Sequence, residues 1–208
     1  MPVKNCQELG ELEKKIKKCT KCPLHANRKN AVPGEGNPKA TIMFIGEAPG
    51  RNEDIEGRPF VGAAGRLLTD LIEGIGLKRE DVYITNVVKC RPPNNRDPKP
   101  DEIDACSPYL DEQIRCIAPR IIVTLGRHST KYLLEKNGYS FRSILKIHGR
   151  VYNIKIDSLN VELIPTLHPA AALYNPRLLE VLKEDFDKIK NRIKEVSEKK
   201  KIGLERFF

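Results

Sequence analysis

The sequence predicts an α/β fold: a single domain on a central, mainly parallel sheet, counted at four strands, with helices flanking it. Three observations carry this expectation. Short apolar runs alternate with segments of helical period, the pattern of strand–helix–strand units. The first run, Thr41 to Ile45, is continuously apolar rather than alternating, as in strands covered on both faces. The chain has 208 residues, about 1.4 units of roughly 150 residues, so one domain with tails fits better than two.

The elements follow in order. Gln7 to Lys18 carries Leu9, Leu12 and Ile16 at helical spacing and predicts an amphipathic helix. A loop rich in Cys, Pro and Gly runs from Cys19 to Pro38. Thr41 to Ile45 is a buried strand ending at Gly46, and Gly62 to Ile75 a helix presenting Leu67, Leu68, Leu71 and Ile72. Val82 to Val88 is a second strand. Arg91 to Pro100 is a Pro-rich loop, and Asp101 to Ile117 a helix containing Pro108, which is tolerated early or kinks it. A third strand, Arg120 to Leu125, leads through Gly126 into a helix ending at Glu135. Val151 to Ile156 and Val161 to Thr166 are further strand segments, and a last helix covers Pro176 to Val196.

In sheets of this kind the chemistry sits at the carboxyl ends of the strands. Four turns fall there: Gly46 to Gly50, Asn86 to Lys89, Gly126-Arg127-His128 and His168-Pro169-Ala170.

Composition narrows the classes. Apolar residues make up 39% and charged residues 31%, which supports a core and excludes wholesale disorder. No stretch approaches the ~18 consecutive apolar residues of a membrane span. The start, Met1-Pro2-Val3-Lys4-Asn5-Cys6, has no apolar h-region, so a cytoplasmic protein is expected. The net charge is +9, of which residues 188–208 contribute +5 with eight basic and three acidic residues. Such an excess attracts polyanions, although a Lys- and Glu-rich surface also simply solvates a thermostable protein.

Six cysteines in a chain with no export signal argue for metal or cluster ligation over disulfides. Cys19 and Cys22 form a CxxC pair, with Cys90 and Cys106 far downstream as a second pair of ligands. Spacing leaves zinc and a [4Fe–4S] cluster both open, and the single close pair favours iron–sulfur. Cys6 and Cys116 read as bystanders.

The motifs resemble the family 4 uracil-DNA glycosylases. Gly46-Glu47-Ala48-Pro49-Gly50-Arg51-Asn52-Glu53-Asp54 and Gly57-Arg58-Pro59-Phe60-Val61-Gly62-Ala63-Ala64-Gly65 are similar to that family's first motif. Tyr83 to Pro93 and Thr166-Leu167-His168-Pro169-Ala170 are similar to its later motifs, and the cysteine spacing to its [4Fe–4S] ligands. The resemblance spans roughly residues 19 to 190. It implies hydrolysis of the N-glycosidic bond of uracil in DNA, leaving an abasic site for base-excision repair.

On this resemblance His168 donates to uracil O2 as negative charge develops, Asn86 reads N3–H and O4, and Phe60 stacks on the extruded base. Gly46 and Gly50 let main-chain N–H groups approach it, while Gly62 and Gly65 open a helix whose N-terminus can meet a phosphate. The best-studied uracil glycosylases carry Asp at the position of Ala48. Glu47 is then the nearest carboxylate to orient a water, with Asp54 second. Leu173, between Ala172 and Tyr174, is a wedge candidate, and Arg91, Arg96 and Arg177 are candidate phosphate contacts.

The chain ends Lys201-Ile202-Gly203-Leu204-Glu205-Arg206-Phe207-Phe208. The spacing of Leu204, Phe207 and Phe208 resembles the peptide by which repair enzymes dock on a sliding clamp, with Lys201 where that motif prefers Gln. The overall expectation is a monomeric glycosylase of residues 1–196 with a basic tail of 197–208. Rivals are a glycosylase preferring another deaminated base and a non-catalytic iron–sulfur or zinc nucleic-acid-binding module.

Overall fold

The computed structural model describes residues 6–205, with side chains described for 8–196. Helix α1 spans Cys6–Lys17 and buries Leu9, Leu12 and Ile16 on one face. A 3₁₀ turn at Pro23–Ala26 and the two-residue strand β1, Glu35–Gly36, interrupt the expected loop. There follow β2 (Ile42–Gly46), α2 (Arg51–Glu56), α3 (Ala63–Gly74), β3 (Tyr83–Asn86) and α4 (Pro100–Ile117). Then come β4 (Ile121–Leu125), α5 (Arg127–Lys136), α6 (Ile144–Ile147), β5 (Tyr152–Ile156), β6 (Leu159–Thr166), α7 (Pro169–Ala172) and α8 (Pro176–Glu205).

The sheet has six strands, ordered β1-β3-β2-β4-β6-β5, where four were expected. The parallel strands β3, β2, β4 and β6 form its middle, while β1 and β5 add antiparallel edges on β3 and β6. The miscount has a physical origin. Val151 to Ile156, already read as a strand segment, is the edge strand β5, whereas Glu35-Gly36 is too short to show any period.

Side chains alternate between two cores, as the pleat requires. Met43, Ile45, Tyr83, Ile122 and Leu163 pack against α1, α4 and α5. Ile42, Phe44, Ile84, Val123 and Ile164 pack against α3 and α8, where Phe44 and Phe186 stack with centroids 5.8 Å apart. Both faces are covered, which is why β2 reads as an unbroken apolar run.

Helix α4 runs unbroken through Pro108. It starts with Pro100, where a missing N–H loses nothing, and Glu102 accepts from Lys99 N–H at 2.8 Å. β3 stops at Asn86 rather than Val88, yet Val87 and Val88 still donate to Gly46 O and Glu47 O, tying together the turns after β2 and β3. Helix α8 continues past Val196 to Glu205. The clamp-type residues Leu204, Phe207 and Phe208 lie outside the residues whose side chains are described. Among the described residues no helix is long and apolar enough to cross a membrane.

The register pairs Gly46 with Asn86 and Leu125 with Thr166. The turns after all four parallel strands therefore meet at one edge. Strand order reverses around β2, which sits between β3 and β4 and marks the crevice where ligands bind in such sheets.

Candidate active site

A cavity of about 410 Å³ opens at that edge, lined by Glu47, Ala48, Gly50, Glu53, Phe60, Asn86, Asn95, Arg96 and His168 among others. Phe60, Asn86 and His168, expected together from the sequence, do line one space. Its volume falls within the range of small-molecule sites, roughly 300–1,000 Å³.

Asn86 ends β3 and is 2% exposed. Its Oδ1 is buried and accepts no hydrogen bond from the described residues. Leaving such an acceptor unpaired costs about 1–3 kcal/mol, so the atom is set for a donor that the fold does not supply. Gly46 also makes room inside the cavity. A Cβ there would come within 2.3 Å of Asn86 Oδ1 and 2.7 Å of the Phe60 ring. The missing side chain makes room for both groups.

Phe60 takes a left-handed backbone, φ 51°, which a bulky residue adopts only where neighbours enforce it. Two neighbours do. Glu53 accepts from Gly50, Val61 and Gly62 N–H at 3.1, 3.0 and 3.1 Å, stapling α2 to the start of α3. Gly65, in the first turn of α3, packs so closely that a Cβ would overlap Phe60 O at 1.8 Å. The Glu53 carboxylate thus takes the N–H groups of Val61 and Gly62 that lead into α3, the helix whose N-terminus was expected to meet a phosphate. Sequence reasoning missed Glu53, although its place three residues after Gly50 carries the acidic half of a capping box. Asp54 likewise leaves the catalytic candidates, since it is buried and accepts from Lys29 and Asn30 N–H outside the cavity.

His168 caps α7, and its Nδ1 accepts from Ala170 N–H at 3.1 Å. In the neutral ring the proton then resides on Nε2. Burial pulls the pKa down to about 4, against a smaller upward pull from Glu53. The ring stacks on Phe60, with centroids 5.7 Å apart. Gly126, φ 93°, lets the β4 turn lie against it, since a Cβ there would stand 3.0 Å from His168 Cβ.

Glu47 is half-buried beside the turn after β4. Burial, then the charge of Asp97, raises its pKa to about 7 against the pull of Arg127. His128 Nε2 stands 3.7 Å from Glu47 and 3.3 Å from Asp97, and Arg127 pairs with Asp97 at 3.0 Å. Burial lowers the pKa of His128.

The expected phosphate contacts are placed unequally. Arg96 lines the cavity, but its guanidinium forks onto buried Glu102 at 2.5 and 2.8 Å. That pairing holds the Glu102 carboxyl below the usual range. Arg91 donates to Asn95 Oδ1 at 2.7 Å, while Arg177 is exposed. Leu173 is 36% and Tyr174 92% exposed, just beyond α7.

Cys19, Cys22, Cys90 and Cys106 line a second, smaller pocket between the α1–β1 loop and α4. None forms a disulfide. Arg28 Nη1 donates to Cys90 Sγ at 3.1 Å, Lys89 N–H to Cys106 Sγ at 3.2 Å and Lys21 N–H to Cys19 Sγ at 3.5 Å. Cys116 is buried elsewhere on α4.

The model of the uracil DNA glycosylase superfamily matches residues 33–194. The chain is 62% identical over 183 residues to the type-4 uracil-DNA glycosylase of Sulfurisphaera tokodaii, covering 88% of this chain and 83% of that one. It is 50% identical over 183 residues to the type-4 uracil-DNA glycosylase of Archaeoglobus fulgidus, covering 88% and 92%. With that of Thermotoga maritima it shares 48% over 192 residues, covering 90% and 96%. The chain belongs to the uracil-DNA glycosylase superfamily and, within it, to the type-4 uracil-DNA glycosylases.

Proposed function

We infer that the chain hydrolyses the N-glycosidic bond of uracil in DNA, leaving an abasic site, and that the cavity at the sheet edge holds the extruded base. The observation that carries this reading is the buried, unpartnered Asn86 Oδ1 beside Phe60 and His168. A carboxamide oxygen accepts from uracil N3–H while its nitrogen donates to O4; cytosine presents the opposite pattern and is refused.

Water adds at the sugar C1′ as the bond to N1 breaks; uracil departs as an anion and afterwards takes up the proton that the water releases. Neutral His168, with its proton on Nε2, donates to O2 as the charge grows there. A neutral donor suits an anionic leaving group because it stabilises charge without having to surrender its proton. Phe60 stacks on the base, contributing roughly 1–3 kcal/mol. Glu47, ionised, orients the water or faces the cationic sugar. Leu173 fills the gap in the duplex, and Arg91 and Arg177 meet phosphates, while Arg96 is engaged by Glu102.

Cys19, Cys22, Cys90 and Cys106 hold a [4Fe–4S] cluster. Main-chain and guanidinium donors on three of the sulfurs are the partners such clusters take. The single close CxxC pair, with Cys90 and Cys106 far downstream, favours the cluster over a structural zinc, whose ligands more often come as two close pairs. When bound, the cluster supplies a structural tie between the N-terminal loop and the segment carrying Lys89 and Cys90. On this reading the chain works as a cytoplasmic monomer, with Leu204, Phe207 and Phe208 docking on a sliding clamp. A clamp pull-down lost on deletion of residues 204–208 supports the docking, and an unchanged one removes it.

The test is release of free uracil, with an alkali-labile site, from a labelled oligonucleotide carrying one uracil. Matched cytosine, thymine and hypoxanthine substrates accompany it. Uracil release alone is expected; no release by cluster-replete protein would leave a non-catalytic binding module.

A further inference from the structure

We propose that Lys89 is a positioning residue for base selection, its buried ammonium fixing the peptide that carries Asn86. The proposal rests on the reading of Asn86 above.

Lys89 is 1% exposed, and the three acceptors that its Nζ meets among the described residues are uncharged oxygens. Its Nζ donates to Thr85 Oγ1 at 2.7 Å, Asn86 O at 2.6 Å and Gln113 Oε1 at 2.6 Å. Three ammonium protons meet three acceptors, with none left over. The acceptors are themselves anchored: Thr85 Oγ1 donates to Pro33 O at 2.6 Å and Gln113 Nε2 to the same carbonyl at 2.8 Å.

The peptide after Asn86 is thus gripped at both ends. Lys89 takes its carbonyl, and Gly46 O takes the following N–H, from Val87, at 3.0 Å. These two bonds set the direction of the Asn86 side chain and hold its Oδ1 in the space that Gly46 leaves open. The main chain of Lys89 is held in turn. Its N–H donates to Cys106 Sγ, its carbonyl accepts from Val32 N–H at 2.7 Å, and Cys90 follows it. One residue therefore connects the cysteine pocket to the base-reading amide.

An apolar residue of the same volume would avoid the desolvation of a buried cation. Stability alone does not explain lysine here, whereas orientation of a discriminating amide does.

The test uses the cluster-replete full chain and the variants Lys89→Met, Asn86→Ala and their combination. Lys89→Met is expected to slow single-turnover uracil excision by about 10- to 100-fold, the scale of lost outer-shell partners. It should weaken inhibition by free uracil, yet leave binding to DNA with an abasic-site analogue within about threefold. In the Asn86→Ala background, Lys89→Met should change excision by less than about threefold. Equal losses in both backgrounds would mean a merely structural role and overturn the proposal, as would wild-type excision by Lys89→Met. If Lys89→Met does not fold, Thr85→Val, which removes one acceptor, must show a smaller loss of the same pattern. An unaffected Thr85→Val would then overturn it. Asn86→Ala with wild-type excision removes the reading of Asn86 itself, an outcome distinct from an inert Lys89.

Discussion

Gly46 and Asn86 are paired across β2 and β3 so closely that a methyl group on Gly46 would press to 2.3 Å from Asn86 Oδ1. The carboxamide and the Phe60 ring can stand in the cavity only because that position has no side chain. Gly46→Ala is therefore expected to cost about 1–3 kcal/mol by overpacking. Because the displaced groups are Asn86 and Phe60, uracil excision should fall far more than stability does. Thermal melts alongside single-turnover excision check this.

The Glu47 carboxyl, raised to about 7, predicts a pH dependence whose sign can be worked out. Below pH 7 it is protonated and cannot orient water or face a cationic sugar; above, it is ionised. The excision rate should rise with pH through about 7, and Glu47→Gln should be slow and lack this limb. A pKa raised on folding stabilises the folded chain below the unfolded value, and this contribution is lost as pH climbs from 4.5 toward 7. Glu47→Gln should therefore raise the melting temperature more at pH 8 than at pH 5. Asp97, His128 and Arg127 surround the carboxylate, and Asp97→Asn should move the limb to lower pH.

Cys90→Ala is expected to reduce stability first and activity through it. Cys90 is buried, meets Arg28, and adjoins Lys89. The melting temperature and the visible iron–sulfur absorption should fall together. An unchanged melt with intact metal content contradicts the assignment.

Glu53→Ala removes the acceptor of three main-chain N–H groups. Buried donors left unpaired cost about 1–3 kcal/mol, and the strained Phe60 peptide should relax from its left-handed conformation. Excision should drop with weakened inhibition by free uracil. Glu53→Gln, which keeps an acceptor oxygen, should recover part of it.

Much of this was legible in the sequence because both faces of the parallel strands are covered. Ile42 to Ile45 and, but for Thr124, Ile121 to Leu125 are apolar, and the ends of the strands Val82 to Val88 and Val161 to Thr166 located the turns that carry Asn86 and His168. What stayed hidden depends on long-range partners. Glu35-Gly36 becomes a strand only by pairing with Tyr83 and Ile84. Lys89, read alone, is one more lysine in a basic chain. Its burial follows from Gln113, 24 residues away on α4, and from Thr85 behind it. Arg96 looked like a free phosphate contact because buried Glu102 belongs to the next helix. The role of Gly46 needed the positions of two side chains that no spacing reveals.

The central claim is that Phe60, Asn86 and His168 grip one extruded uracil and stabilise it as it leaves. The most direct measurement is the single-turnover rate of uracil release by His168→Ala on a single-uracil oligonucleotide at pH 8. A loss of about 100- to 1,000-fold, the scale for one oxyanion-type donor, is predicted with little change in melting temperature. A rate within a few-fold of wild type would contradict the account.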